Sequence, residues 1–245
     1  MRIAVMNCNT NSTMTDLIAK SARSVARPGT EILGIQPAWG PESAEGWYDS
    51  FITAAAGLDR LVKLTDEIDG LVMAGFGEHG REGARELLDV PVLDITEAAA
   101  MLALPLGQRY GVITTLDRSI VQIEESLRTA GLADHCIAIC ATDLGVLELE
   151  DDPVRTHRAF VEAGRQALEQ GAEVLCLGCA GMAGLEESVR EELGVPVIDG
   201  VKAAVGVVES LVSLGLTTSK IGGFASPRAK SRLGWPITST TGHLK

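Results

Sequence analysis

The second half of the sequence repeats the pattern of the first half. RIAVMNCNTNS, which begins at Arg2, resembles RYGVITTLDRS, which begins at Arg109, at an offset of 107 residues. DVPVLDITEAAA, from Asp89, resembles GVPVIDGVKAAV, from Gly194, at an offset of 105 residues, and the loops MAGFGEHG and LGCAGMAG align at 104. Offsets that drift so little along the chain predict two copies of one structural unit.

Apolar runs rich in Val, Ile and Leu alternate with helical segments in both copies. The predicted strands are residues 3–6, 31–35, 70–73, 92–93, 110–114, 136–139, 174–177 and 197–198. The clearest predicted helices are residues 13–26, 51–65, 120–130 and 154–170. Continuous apolar strands that alternate with helices are typical of parallel sheets covered on both faces. We therefore expect an α/β fold of two pseudo-symmetric lobes, each a four-stranded parallel sheet flanked by helices.

The repeat also predicts the domain boundaries. Residues 1–107 form an N-terminal lobe, residues 108–215 form a C-terminal lobe, and residues 216–245 form a tail that packs back on the first lobe. Ligands of parallel sheets bind beyond the carboxyl ends of the strands. We therefore expect the active site between the lobes, where strand-end loops of both halves meet.

Composition and charge exclude several classes of protein. A net charge of −12 leaves little to neutralise phosphates, so we expect no nucleic-acid partner. Met1 leads directly into a predicted buried strand, so we expect no signal peptide, and no apolar run reaches the roughly 20 residues that span a bilayer. Five cysteines without regular spacing suggest reduced thiols, so we expect a cytoplasmic protein with no membrane partner.

Cys176 and Cys179 form a CxxC pair, the spacing of some metal sites. No second cysteine pair and no nearby histidine completes a zinc set, so we expect no metal site. Packing is the default interpretation for Cys176, which falls inside an apolar strand.

Four strand-end loops hold the best polar and thiol groups of the chain. They are NCNTN at residues 7–11, AGFGEHG at 74–80, TTLDRS at 114–119 and GCAGM at 178–182. These loops hold few charges. The expected ligand is therefore a small polar molecule held by backbone amides and hydroxyls.

Four longer motifs carry a resemblance to a known family. They are GPESAEG at residues 40–46, TTLDRSI at 114–120, VLCLGCAGM at 174–182 and LGVPVIDGV at 193–201. With them the sequence resembles the aspartate/glutamate/hydantoin racemase superfamily, and within it the hydantoin and allantoin racemase branch. The resemblance implies cofactor-independent racemisation of a small carbon acid by two cysteines, one from each lobe, in an enzyme that assembles into homo-oligomers.

The family pattern assigns one of these thiols and leaves the other without a match. Cys179 matches the cysteine of the second lobe. The first loop of the branch usually reads ACFGDPG, so Gly75 stands in the position of the first cysteine. The asparagine–proline–asparagine–threonine signature is also altered, with Cys8 in the place of the proline.

Two residues are candidates for the missing group. His79 has a side chain that titrates near neutral pH, although a partly exposed histidine at a helix start is the default interpretation. Cys8 lies on a strand-end loop, but in the repeat it aligns with the TTLDRS loop and not with Cys179. A helix that follows Cys179 would lower the pKa of its thiol.

The remaining site residues follow from the family pattern. Asn9, Thr10, Thr114 and Thr115 would hydrogen-bond the substrate, or cap the helices that follow them. The small loops around Phe76, Gly77, Ala180 and Gly181 would bring backbone N–H groups to the oxygen on which enolate charge develops. Glu45 and Tyr48 match a stretch of the hydantoin branch that would lie over the cleft.

Three functions remain open at the level of the sequence. The first is a racemase of a hydantoin-like or amino-acid-derived carbon acid with Cys179 as acid and base. The second is a decarboxylase of the arylmalonate decarboxylase type, which the sequence resembles in having glycine at the first position and cysteine at the second. The third is a relative that binds a small amide or acid without catalysis.

Overall fold

The chain folds into two four-stranded parallel sheets, as the repeat predicts. The computed structural model describes residues 1–64, 67–182 and 184–233. The first sheet has the order β2-β1-β3-β4 and the second has the equivalent order β6-β5-β7-β8. The strands are β1 (Arg2–Asn7), β2 (Glu31–Ile35), β3 (Gly70–Ala74), β4 (Val92–Asp94), β5 (Tyr110–Thr114), β6 (Cys136–Ala141), β7 (Val174–Leu177) and β8 (Val197–Asp199).

Helices connect the strands and cover both sheets. They are α1 (Ser12–Val25), α2 (Trp47–Val62), α3 (Arg81–Leu87), α4 (Ile95–Ala103), α5 (Ile120–Thr129), α6 (Pro153–Glu169), α7 (Glu186–Leu193) and α8 (Gly200–Ser213). The fold class predicted from the repeat is therefore confirmed. Helix α2 begins four residues before its predicted start at residue 51, and its predicted end at residue 65 lies outside the described residues. None of the helices in the described ranges is long and apolar enough to cross a membrane.

The strand registers reproduce the repeat of the sequence. Leu71 of β3 pairs with Val92 of β4, and Leu175 of β7 pairs with Val197 of β8, at the offsets of 104 and 105 residues found in the sequence. The side chains of the two aspartates that end β4 and β8 cap the helices that follow, because each accepts a hydrogen bond from a backbone N–H of the first turn.

The last helix of each half packs against the sheet of the other half. Helix α8 lies on β3 and α1, and α4 lies on β7 and α5, so one apolar core joins the two halves. A Cβ atom built at Gly70 of β3 would overlap the Val208 side chain, and one built at Gly200 would lie 2.8 Å from the Ile95 carbonyl oxygen. These close approaches fix how the carboxyl ends of the two sheets face each other.

The segment after α8 runs along the first half. The Thr218 N–H donates to the Asp89 carbonyl at 2.8 Å, and the Lys220 ammonium donates to the carbonyls of Arg85 and Glu86. The Arg85 guanidinium lies 5.5 Å from the centre of the Phe224 ring. Of the predicted tail, residues 234–245 lie outside the described residues.

Candidate active site

A narrow cavity of about 40 Å³ lies between the carboxyl ends of the two sheets. All four strand-end loops singled out in the sequence contribute to it. Its lining comprises Cys8, Asn9, Met14, Ala44, Ala74, Gly75, Phe76, His79, Thr114, Thr115, Ser119, Gln122, Val146, Gly178, Cys179 and Ala180. The duplicated fold therefore brings these loops to one place, as parallel sheets require.

The lining mixes apolar and polar groups and carries no formal charge at neutral pH. Within the described part of the chain it contains no Lys, Arg, Asp or Glu. Hydroxyl, amide, thiol and imidazole groups supply the polarity. Such a lining suits an uncharged ligand, because a buried charge without a partner is strongly unfavourable.

Cys179 lies two residues beyond β7, directly before a short 3₁₀ helix at Ala180–Met182. Burial raises the pKa of its thiol to about 11. A hydrogen bond from the Gly181 N–H opposes this rise, and the carboxylate of Glu45 adds to it. The pKa of Cys179 is therefore raised and not lowered, because desolvation outweighs the backbone N–H.

Gly75 occupies the corresponding place in the first half, directly after β3. A Cβ atom built at Gly75 would overlap the His79 ring at Cδ2 and would lie 2.9 Å from the Cβ of Cys8. The imidazole of His79 therefore fills the space that any side chain at residue 75 would need.

His79 is buried, with 8% of its surface exposed, and is not the partly exposed residue that the sequence allowed. Its Nδ1 lies 3.1 Å from the Ser50 hydroxyl, and its Nε2 lies 3.3 Å from the Phe76 carbonyl oxygen. The Ser50 hydroxyl also donates to the Glu78 carbonyl. Burial lowers the pKa of His79 to about 4. The Phe76 carbonyl opposes this shift, because it favours the charged ring. The ring is therefore neutral at pH 7.

Most of the predicted substrate-binding residues line the cavity. These are Asn9, Phe76, Thr114, Thr115 and Ala180. The side-chain oxygen of Asn9 accepts hydrogen bonds from the Asn7 amide and the Asn11 backbone N–H, which fixes its orientation.

Thr10, Gly77 and Gly181 are outside the lining and have other partners. Both the N–H and the hydroxyl of Thr10 donate to the Pro41 carbonyl. The Gly77 N–H donates to the Thr96 hydroxyl at 2.8 Å, so it is not directed at a ligand. The Gly181 N–H contacts the Cys179 thiol.

The sequence did not single out Gln122, which lines the cavity from the first turn of α5. Its side chain is 4% exposed, and its Nε2 has no hydrogen-bond partner among the described residues. A buried amide donor without a partner is rare in proteins and marks a place for a missing acceptor. The sequence did contain one signal for this role: Gln122 lies in the first turn of the helix that follows TTLDRS, and helices that begin after strand-end loops face the ligand sites of parallel sheets.

The loop before α2 covers the cavity and links the two halves. The Glu45 carboxylate accepts hydrogen bonds from the Ser43 hydroxyl and from the Val146 N–H of the second half, the latter at 3.1 Å. A Cβ atom built at Gly46 would lie 2.8 Å from the Arg118 guanidinium, so the loop packs closely on TTLDRS. Tyr48 is mainly exposed.

The fold and the cavity define a class of protein: a duplicated α/β enzyme whose thiol and imidazole groups meet between its halves. The family model described as Asp/Glu/Hydantoin racemase matches residues 3–208. The chain belongs to this family and is an isomerase of the racemase type, which confirms the resemblance found in the sequence.

Relatives and solved structures agree with this assignment. The chain is 38% identical to a hydantoin racemase of Pseudomonas sp. (strain NS671) over 96% of its own length and 95% of that protein. Allantoin racemase from Pseudomonas fluorescens is 53% identical, with a TM-score of 0.93, and the match covers 96% of this chain and all of that chain. Allantoin racemase from Klebsiella pneumoniae is 44% identical, with a TM-score of 0.91 and 96% coverage of both chains.

Proposed function

We propose that the protein racemises an uncharged, hydantoin-like cyclic amide, with Cys179 moving the proton at the stereogenic carbon. The observation that carries the proposal is the meeting of the Cys179 thiol and the unpartnered Gln122 amide in one cavity without charged lining. Relatives whose names state hydantoin and allantoin racemisation support the substrate class.

The neutral lining favours a cyclic amide over an amino acid or a malonate. An amino-acid zwitterion or a dicarboxylate would need charged partners in a buried site, and the described lining offers none. A hydantoin carries no such charge, and the carbonyl next to its stereogenic carbon acidifies the C–H bond. The same argument disfavours a decarboxylase that acts on malonates.

Cys179 acts on one face of the ring. Its thiolate removes the proton, and the thiol returns a proton in the reverse direction. The Gly181 N–H stabilises the thiolate, because a hydrogen bond to the charged form favours that form. Negative charge develops on the carbonyl oxygen of the substrate as the C–H bond breaks. The Nε2 of Gln122 is the donor that this oxygen would pair with.

Proton exchange followed by NMR in deuterated water tests the proposal. Both enantiomers of a 5-substituted hydantoin and of allantoin should exchange the C–H proton and invert, and a disubstituted malonate should release no carbon dioxide. Cys179→Ala should lose inversion, whereas Cys136→Ser, which changes a thiol on β6 outside the cavity, should keep it. Unchanged turnover in Cys179→Ala, or decarboxylation of the malonate, would contradict the proposal.

A further inference from the structure

The cavity contains a second thiol, Cys8, which the steps above do not use. Cys8 follows β1 directly, is half-buried, and lines the same cavity as Cys179. Cys8 comes from the sheet of the first half and Cys179 from the sheet of the second half. The two thiols therefore come to the cavity from different halves of the pseudo-symmetric fold.

The side chain of Cys8 begins close to the point where a side chain at residue 75 would begin. A Cβ atom built at Gly75 would lie 2.9 Å from the Cβ of Cys8. The loop after β1 thus places a thiol side chain in the region where the loop after β3 has none. Both Gly75 and Cys8 depart from the family pattern, and the fold brings these two departures together.

Racemisation removes a proton from one face of the stereogenic carbon and places a proton on the opposite face. A base removes the proton from one face, and an acid must deliver a proton to the other. Of the described lining residues, only Cys8, His79 and Cys179 have side chains that titrate between pH 4 and 12. One ring nitrogen of His79 lies 3.1 Å from the Ser50 hydroxyl and the other lies 3.3 Å from the Phe76 carbonyl oxygen, so both nitrogens face protein atoms.

We propose, building on the racemase function above, that Cys8 is the catalytic acid and base on the second face of the substrate. In one direction the Cys179 thiolate takes the C–H proton and becomes a thiol, and the electron pair moves onto the adjacent carbonyl oxygen. The Cys8 thiol then gives its proton to the opposite face and becomes a thiolate. The other enantiomer reacts through the same steps in reverse, with Cys8 as the base, and no electron is gained or lost overall.

His79 is a positioning residue in this arrangement. Its neutral ring fills the space above Gly75 and packs beside Cys8, so it limits where the Cys8 sulfur can lie. Burial raises the pKa of the Cys8 thiol to about 12, and the nearby Cys179 adds to that rise. The titratable group that raises the pKa of Cys8 is Cys179, and the one that raises the pKa of Cys179 is Glu45. His79 is neutral at pH 7.

The experiment separates exchange from inversion. Each enantiomer of a 5-substituted hydantoin is incubated in deuterated water with the parent, Cys8→Ala or Cys179→Ala, and both loss of the C–H signal and optical rotation are followed. We expect Cys8→Ala to lose inversion by about 100-fold or more while still exchanging the proton of one enantiomer through Cys179. Cys179→Ala should show the mirror result, with exchange of the other enantiomer only.

Controls keep the two proposals distinguishable. Inversion by Cys8→Ala at the rate of the parent would overturn the role of Cys8 and leave the racemase function intact. A parent that neither exchanges nor inverts any hydantoin would overturn the racemase function itself. Cys8→Ser, which conserves the shape of the side chain, is measured alongside, with circular dichroism to verify folding. A loss of inversion in His79→Gln without any in Cys8→Ala or Cys8→Ser would assign the second face to His79 and contradict the proposal.

Discussion

The imidazole of His79 occupies the space that a side chain at residue 75 would take, so the two residues are sterically coupled. A thiol at residue 75 and the present position of the His79 ring exclude each other. Gly75 and His79 are therefore matched to each other, and changing either residue alone disturbs the packing of the cavity.

Gly75→Cys alone should destabilise the protein and should not raise racemisation. The new Cβ would overlap the His79 ring, and overpacking of this kind costs about 1–3 kcal/mol. Adding His79→Ala should recover much of the lost stability, because it empties the contested space. Urea unfolding of both variants and of His79→Ala measures the coupling. Additive effects of the two substitutions would contradict the steric relationship.

Protonation of His79 should oppose folding as the pH falls. Burial lowers the pKa of His79 from 6.5 to about 4, so the unfolded chain binds a proton between these values that the folded chain does not. The contribution of His79 to the free energy of unfolding should therefore decrease as the pH falls from about 6.5 to about 4, by up to roughly 3 kcal/mol. Above pH 6.5 this contribution is fully present.

The measurement is urea unfolding of the parent and of His79→Gln between pH 4 and 8. The variant should lack the acid-dependent loss, and the difference between the two proteins isolates His79 from other groups. Glu78 is one such group. Burial raises the pKa of its carboxyl, so its effect on stability as the pH falls is opposite to that of His79. Parallel curves for the two proteins would show that His79 does not titrate as described.

Gln122→Met should separate stability from activity. The Nε2 of Gln122 is buried without a partner, so replacing the amide by an apolar side chain of similar length removes an unsatisfied donor. The variant should be as stable as the parent or more stable, by about 1–3 kcal/mol at most. It should also lose turnover, because the amide that we propose as the donor for the developing oxyanion is removed. A rise in the melting temperature without a change in kcat/KM would exclude Gln122 from the reaction.

The sequence predicted the parts of this site that depend on the backbone. The repeat offsets match the strand registers at Leu71 and Leu175, and the four strand-end loops line one cavity because parallel strands end at the same edge. The packing of side chains in the loops could not be predicted from the sequence. The overlap between residue 75 and His79 depends on a turn conformation within one loop. The raised pKa of Cys179 depends on burial by elements from both halves, which local sequence does not encode.

Glu45→Gln should shift the pH dependence of the reaction to lower pH. Burial raises the pKa of Cys179 to about 11, the Gly181 N–H opposes this, and the Glu45 carboxylate raises it further. Glutamine keeps an oxygen that can accept from the Val146 N–H, so the loop should stay in place while the negative charge is removed. The thiolate then forms at lower pH, because a nearby like charge no longer disfavours it.

In the direction where Cys179 is the base, kcat/KM for hydantoin inversion should begin to rise at lower pH than in the parent. Glu42→Gln, a change of the same charge in the same loop, is the matched control and should leave the profile where it is. A profile of Glu45→Gln that coincides with that of the parent, or moves to higher pH, would show that the charge of Glu45 does not act on the thiol that takes the proton.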